Sequence, residues 1–165
     1  FLPSFVIKSL LMPLLFLFLL INRGNRIKGG TLIMMGIFFS WGGDILLEAA
    51  RLNDNLFIYG LLSFILAQIM YLTKFFSTSG KNLLKGPGLF IIIPLLIYGI
   101  ALISFLKDSL GDMLIPVTVY AAVILTMLAG SINRRFKVSA QSYLLVLAGA
   151  LLFVISDSAI AVNRF

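Results

Sequence analysis

The sequence predicts an all-α fold, a polytopic bundle of membrane-spanning helices, and three observations carry that expectation. Of the 165 residues, 61% are hydrophobic and 12% charged, against about 45–50% and about 25% in soluble domains; mean hydropathy is +1.10. The apolar residues fall into six runs, each close to the 17–25 residues, roughly, that a hydrocarbon core demands. The polar loops between the runs alternate regularly in basic content.

The runs lie near residues 4–22, 30–49, 55–75, 87–105, 112–132 and 140–162. Hydrocarbon offers no water to loose backbone groups, so each is expected as a helix. Pro13, Pro94 and Pro116 fall inside runs and predict kinks. Short connections predict antiparallel neighbours within one transmembrane domain, 1–165. Arg23, Arg26 and Lys28 follow the first run and Arg51 the second; Lys74, Lys81 and Lys85 follow the third and Lys107 the fourth. Arg134, Arg135 and Lys137 follow the fifth, and Arg164 ends the sixth. The positive-inside rule then makes the loops at 23–29, 74–86 and 133–139 cytoplasmic. The expected location is the cell (inner) membrane.

What is missing narrows the chemistry. The chain has no cysteine and no histidine, which removes disulfides, His- or Cys-based zinc sites, thiol nucleophiles and Ser-His-Asp triads. There is no GxGxxG, Walker A, GxSxG or HExxH motif. No cofactor and no metal is expected. The net charge of +7 is spread over short loops, so no nucleic acid partner is expected; membrane lipids are the natural surroundings, and the oligomeric state is left open.

Two acids stand where a bilayer should not receive them. Asp44 lies in FSWGGDILLE and Asp157 in FVISDSAIA, and intramembrane carboxylates usually face a bundle interior. With the orientation above, Lys8, Asp44 and Asp157 each sit roughly 6–9 Å inside their span ends, at one level. The two acids are therefore expected to face one another, within about 8 Å, as the catalytic pair. Ser40, Asp44 and Glu48 recur every four residues and form one polar stripe; Ser156 and Ser158 flank Asp157. Gly42 and Gly43, and likewise Gly149, Ala159 and Ala161, permit close helix approach. Lys8, Ser40, Glu48, Tyr120, Ser156 and Ser158 are the candidate substrate-binding residues, with Gln68, Tyr71 and Asn163 supporting. Each has a plainer role available: Lys8 can snorkel, Glu48 and Arg51 can form a helix-end pair, and Gln68 and Tyr71 can bond between helices. Thr118 and Tyr120 are placed to line a cavity.

Four segments resemble the motifs of a known family, in order. KSLLMPLL at 8–15 is similar to the Lys-Pro-led first motif of the YhhN family, which includes the lysoplasmalogenases. FSWGGDILL at 39–47 resembles its Gly-Asp motif, GLLSFILAQIMY at 60–71 its Phe-x-x-Ala-His-x-x-Tyr motif, and GALLFVISDSAIAVNRF at 149–165 its closing signature. The resemblance covers nearly the whole chain. It implies about eight spans, with one expected before and one after those visible here. Ser9 stands in place of the usual Pro and Gln68 in place of the common His, while both Asp motifs are intact.

The resemblance implies hydrolysis of the vinyl ether of lysoplasmalogens to a fatty aldehyde and a glycerophospho-headgroup. Protonating the β-carbon gives an oxocarbenium ion that water attacks, and the hemiacetal collapses. One protonated acid and one carboxylate suffice, as in glycosidases. Asp157 is the preferred donor, because Asp44 lies nearer a second carboxylate and Arg51. The expected pocket is long and apolar, with a polar mouth near Lys8, Glu48 and Arg51. The rival reading is a transporter or a lipid-binding or scrambling protein, in which the acids handle protons or head groups; a third is a structural subunit with the acids as bundle glue.

Overall fold

The structure, a computed structural model, describes residues 12–18, 20–21, 30–78 and 90–165. These are helical with short turns and contain no strand. Helix α1 is described at residues 12–18 and 20–21. It is followed by α2 (Gly30–Ala49), α3 (Leu56–Phe76), α4 (Ile92–Leu110), α5 (Leu114–Ile132) and α6 (Ala140–Arg164). Among the described residues, four stretches are long and apolar enough to cross a membrane: Gly30–Ala49, Leu56–Ser77, Ile92–Ile132 and Ala140–Arg164. The third, of 41 residues, contains both α4 and α5. The expected count of six is therefore not reached among the described residues, since most of the first run lies outside them. The chain divides into two compact units, Phe1–Lys74 and Phe75–Phe165.

In the first unit, α2 and α3 pack antiparallel. A Cβ on Gly36 would strike the Tyr71 ring, one on Gly43 would come within 2.7 Å of the Phe64 ring, and one on Gly60 would meet Leu47 at 2.8 Å. Positions rise along one helix as they fall along the other. Gly36, Ser40 and Gly43, all buried, make a small-residue stripe on α2. Into it α3 inserts its large side chains, the device by which helices associate in lipid. The Ser63 hydroxyl donates to the Phe39 carbonyl across the pair at 2.7 Å. After α2 the chain turns through 50–55, where Arg51 Nε lies 3.3 Å from Glu48 Oε1. That is the helix-end pair expected, and its exposure makes it a weak contributor.

Gln68 departs from expectation. It is fully buried, yet neither amide atom has a hydrogen-bond partner among the described residues. The helix-to-helix bond expected of it falls instead to Tyr71, whose hydroxyl lies 3.5 Å from Ser40 Oγ.

Among its described residues, the second unit is built on three helices, α4, α5 and α6. Gly111, with φ of +49°, lets the chain leave α4 and re-enter α5 within the three-residue 3₁₀ turn Gly111–Met113; a side chain there would be strained. The helices fold back as a hairpin, so that Gly99 lies under Leu125. Helix α4 runs to Leu110, through Lys107 and Asp108, which the sequence placed in a loop. Lys107 in the last turn complements the helix dipole. Pro94 and Pro116 are each the third residue of their helix, where a backbone N–H has no intrahelical acceptor to lose. They mark starts rather than kinks. Ser139 caps α6 by accepting from the Ser142 N–H at 3.4 Å. Arg134, just past α5, reaches Ser142 Oγ at 3.5 Å and stacks 5.1 Å from the Phe75 ring centroid. Burial lowers its guanidinium pKa from the ordinary arginine value.

Gly149 was expected to allow close approach, but a Cβ there would meet nothing within 4 Å. Two glycines thus have opposite expectations. Gly43→Ala should destabilise the protein by about 1–3 kcal/mol through overpacking, whereas Gly149→Ala should be neutral or stabilise by up to about 1 kcal/mol. Thermal unfolding in detergent measures both, and equal effects would contradict the packing described. Gln68→Met, which replaces an unpartnered buried amide by an apolar chain of similar length, should raise stability by roughly 1 kcal/mol or more. A loss would mean that the amide is satisfied.

Candidate functional site

The first unit assembles one polar group from the candidates. Ser40 is 1% exposed, and its hydroxyl meets Tyr71. Asp44, one turn further along α2 and half-buried, acts electrostatically on the same phenol. Gln68 lies one turn before Tyr71 on α3 and is buried. Glu48 stands at the end of the α2 stripe and is engaged by Arg51. Gly42 lets α3 approach closely beside this group, with Ser63 Oγ 3.2 Å from the point where a Cβ of Gly42 would stand. Lys8 lies outside the described residues.

The second unit assembles another, around Asp157. Helix α6 runs antiparallel to α5: Arg134 meets Ser142 close to the loop, and Tyr120 meets Asp157 far from it. With about 1.5 Å of rise per residue, Asp157 sits about 10 Å from the helix end at Arg164 and about 25 Å from its start. It is well within a span. The buried Tyr120 donates its phenolic hydrogen to Asp157 Oδ2. From α4, Tyr98 reaches Ser158, with 2.6 Å between the oxygens. Ser158 also lies 2.7 Å from the Val154 carbonyl one turn back, to which it donates. A hydroxyl carries one hydrogen. Ser158 gives its own to the backbone, so Tyr98 is the donor in the Tyr98–Ser158 bond.

These four side chains edge a cavity of about 30 Å³ whose remaining wall is apolar, formed by Leu102, Ile124 and Val154 among others. On an allowance of about 10–15 Å³ per water, it has room for about two. It is not the long acyl pocket expected from the sequence. Tyr120 lines it as anticipated, whereas Thr118 is exposed and bonds its own helix at Leu114. Ser156 and Asn163 are exposed and take no part in the cluster. Of the two serines beside Asp157, only Ser158 joins it.

Tyr98 was not singled out in the sequence. It sits in IIPLLIYGI, and the signal that could have found it is general: a phenol inside an apolar run requires a hydrogen-bond partner. Pairing it with Ser158 needed the α4–α6 geometry.

What the second cluster offers chemically is a half-buried carboxyl held by a phenol, beside two further hydroxyls and a water-sized space. With no histidine or cysteine in the chain and no basic side chain among the described residues that line the cavity, its means are proton transfer and stabilisation of positive charge.

No curated protein and no solved structure matches the chain. The family model described as "YhhN family" matches residues 4–165. With membrane-type helices, the closing signature around Asp157 and a match across essentially its whole length, the chain belongs to the YhhN family.

Proposed function

We propose that this protein is a membrane-embedded ether hydrolase that cleaves the vinyl ether of lysoplasmalogens, 1-alkenyl glycerophosphoethanolamine or glycerophosphocholine, to a fatty aldehyde and the glycerophospho-headgroup. The observation that supports it most is the bond from Tyr120 to Asp157 inside the α4–α6 unit. A carboxyl in hydrocarbon is costly to keep, and this one is oriented by the Tyr120 phenol at the edge of a cavity.

The chemistry asks for little else. A proton adds to the β-carbon of the alkenyl chain, leaving an oxocarbenium ion. Water attacks the ether-bearing carbon, gives up a proton, and the hemiacetal breaks its C–O bond to release aldehyde. Asp157, already receiving Tyr120's hydrogen on Oδ2, suits the role of acceptor: it steadies the cation and takes the proton of the attacking water. This assigns donation to the other intramembrane acid, Asp44, and reverses the roles preferred from the sequence. The resemblance to the YhhN family, which includes the lysoplasmalogenases, supplies both the reaction class and the substrate, and the chemistry of two carboxyls is compatible with them.

Acid catalysis contributes about 10²–10⁴-fold. Asp157→Asn and Asp44→Asn should therefore each lower aldehyde release at least a hundredfold while the protein still inserts and folds. Near wild-type rates in both variants would eliminate the two-carboxyl mechanism, and failure of both to insert would make the acids structural. Tyr120→Phe keeps the ring and removes the donor. It should lower kcat about tenfold or more with KM within about twofold, because the phenol acts through Asp157 rather than on the acyl chain; a rise in KM alone would make Tyr120 a substrate-binding residue.

A further inference from the structure

The hydrolysis proposed above consumes a water molecule, and hydrocarbon supplies none. The cavity among α4, α5 and α6 has room for about two waters at about 10–15 Å³ each, within a volume of about 30 Å³. Its polar edge has a definite sense. The Tyr120 hydrogen goes to Asp157, the Tyr98 hydrogen to Ser158, and the Ser158 hydrogen to the Val154 carbonyl. Every hydroxyl hydrogen in the cluster is engaged, so the wall presents hydrogen-bond acceptors: carboxylate, phenol and serine oxygens. A water held by acceptors alone is held by its own hydrogens, and its lone pairs point away from the wall.

We propose, resting on the hydrolase reading, that this cavity is the binding site of the reactive water. The acceptor wall turns the water's oxygen outward, towards an electrophilic carbon, with Asp157 placed to receive its proton. The oxygen forms the new C–O bond and one water proton passes to the Asp157 carboxylate; Asp157 returns that proton to the departing alkoxide as the old C–O bond breaks, and the hemiacetal's hydroxyl hydrogen, released as the C=O forms, replaces the proton spent on the β-carbon. No electrons are exchanged with any other species. The apolar remainder of the wall makes size the selector. A nucleophile of two non-hydrogen atoms fits and one of four does not, so methanol can replace water and 1-propanol cannot. Attack by an alcohol would give a mixed acetal, which has no hydroxyl hydrogen from which to collapse and accumulates as product.

The test uses the full-length protein in detergent, with two independent readouts. Hydroxyl-radical footprinting reports water at Tyr120, which is only 8% exposed; the wild type should be modified there. Filling the cavity by Ala121→Leu, or by the milder Ala161→Val should the first fail to fold, should suppress that modification and lower aldehyde release at least tenfold. Ile124→Ala should enlarge the cavity and yield the propyl mixed acetal in 1-propanol, where the wild type yields only the methyl acetal in methanol. An unmodified Tyr120 in the wild type, or filled variants that turn over normally while Asp157→Asn is inactive, would overturn the water site and leave the hydrolase reading standing. A wild type that releases no aldehyde from any lysoplasmalogen would overturn that reading and this inference with it.

Discussion

Inside hydrocarbon a polar side chain has only the protein to bond to, and that constraint orders most of what the helices do. Thr73, Thr118 and Thr126 each return their hydroxyl to a carbonyl four residues back on the same helix. Ser131 returns its own three residues back. These local bonds satisfy the group without directing the fold. Bonds that leave the helix are the ones that direct the fold. Ser63 ties α3 to α2 through the Phe39 carbonyl, while Tyr98 and Tyr120 bring α4 and α5 to adjacent residues of α6. Two phenols converging on Ser158 and Asp157 make a polar centre in a unit otherwise packed from aliphatic side chains.

Packing supplies the rest, and in lipid it depends on closeness rather than on water exclusion. On α2 the glycines are placed where α3 presents rings: Gly36 beneath Tyr71 and Gly43 beneath Phe64. The first of these contacts also sets the Tyr71 hydroxyl beside Ser40. One small-residue stripe therefore fixes both the approach of the helices and the position of a polar group. Gln68 is the point at which satisfaction fails. A fully buried amide with no hydrogen-bond partner among the described residues costs about 1–3 kcal/mol.

Much of the architecture was legible because it rests on composition. The α2 and α6 starts fall where the apolar runs predicted, and Gly42-Gly43 marked a stretch of α2 that α3 approaches closely. What was not legible depends on three-dimensional partners. Proline inside an apolar run reads as a kink until the helix start is known; Pro94 and Pro116 turn out to be initiators. Gly111 fixes a reversal because of its dihedral angle, and a glycine's sequence neighbours do not announce a positive φ. Ser156 and Ser158 are equivalent on paper. They lie on different sides of α6, and only Ser158 meets α4. Tyr98 was passed over because one tyrosine in an aliphatic run carries no spacing signal, whereas Asp157 declared itself by charge.

The chemistry open to such a site follows from these same partners. A chain without histidine or cysteine has no side chain that titrates near neutrality by its unperturbed nature, so proton transfer must come from carboxyls placed where water is scarce. Scarcity helps as well as constrains. A carboxylate in a low-dielectric surrounding stabilises a nearby cation more strongly than one in water, and an oxocarbenium ion is such a cation. The proposed reaction still needs a nucleophile, and on that reading the space beside Asp157 is where a small one would be held. Tyr120 and Tyr98 serve both ends of this requirement. Their rings complete the apolar packing and their hydroxyls fix Asp157 and Ser158, so the same two side chains form part of the apolar wall and orient the polar edge of the cavity.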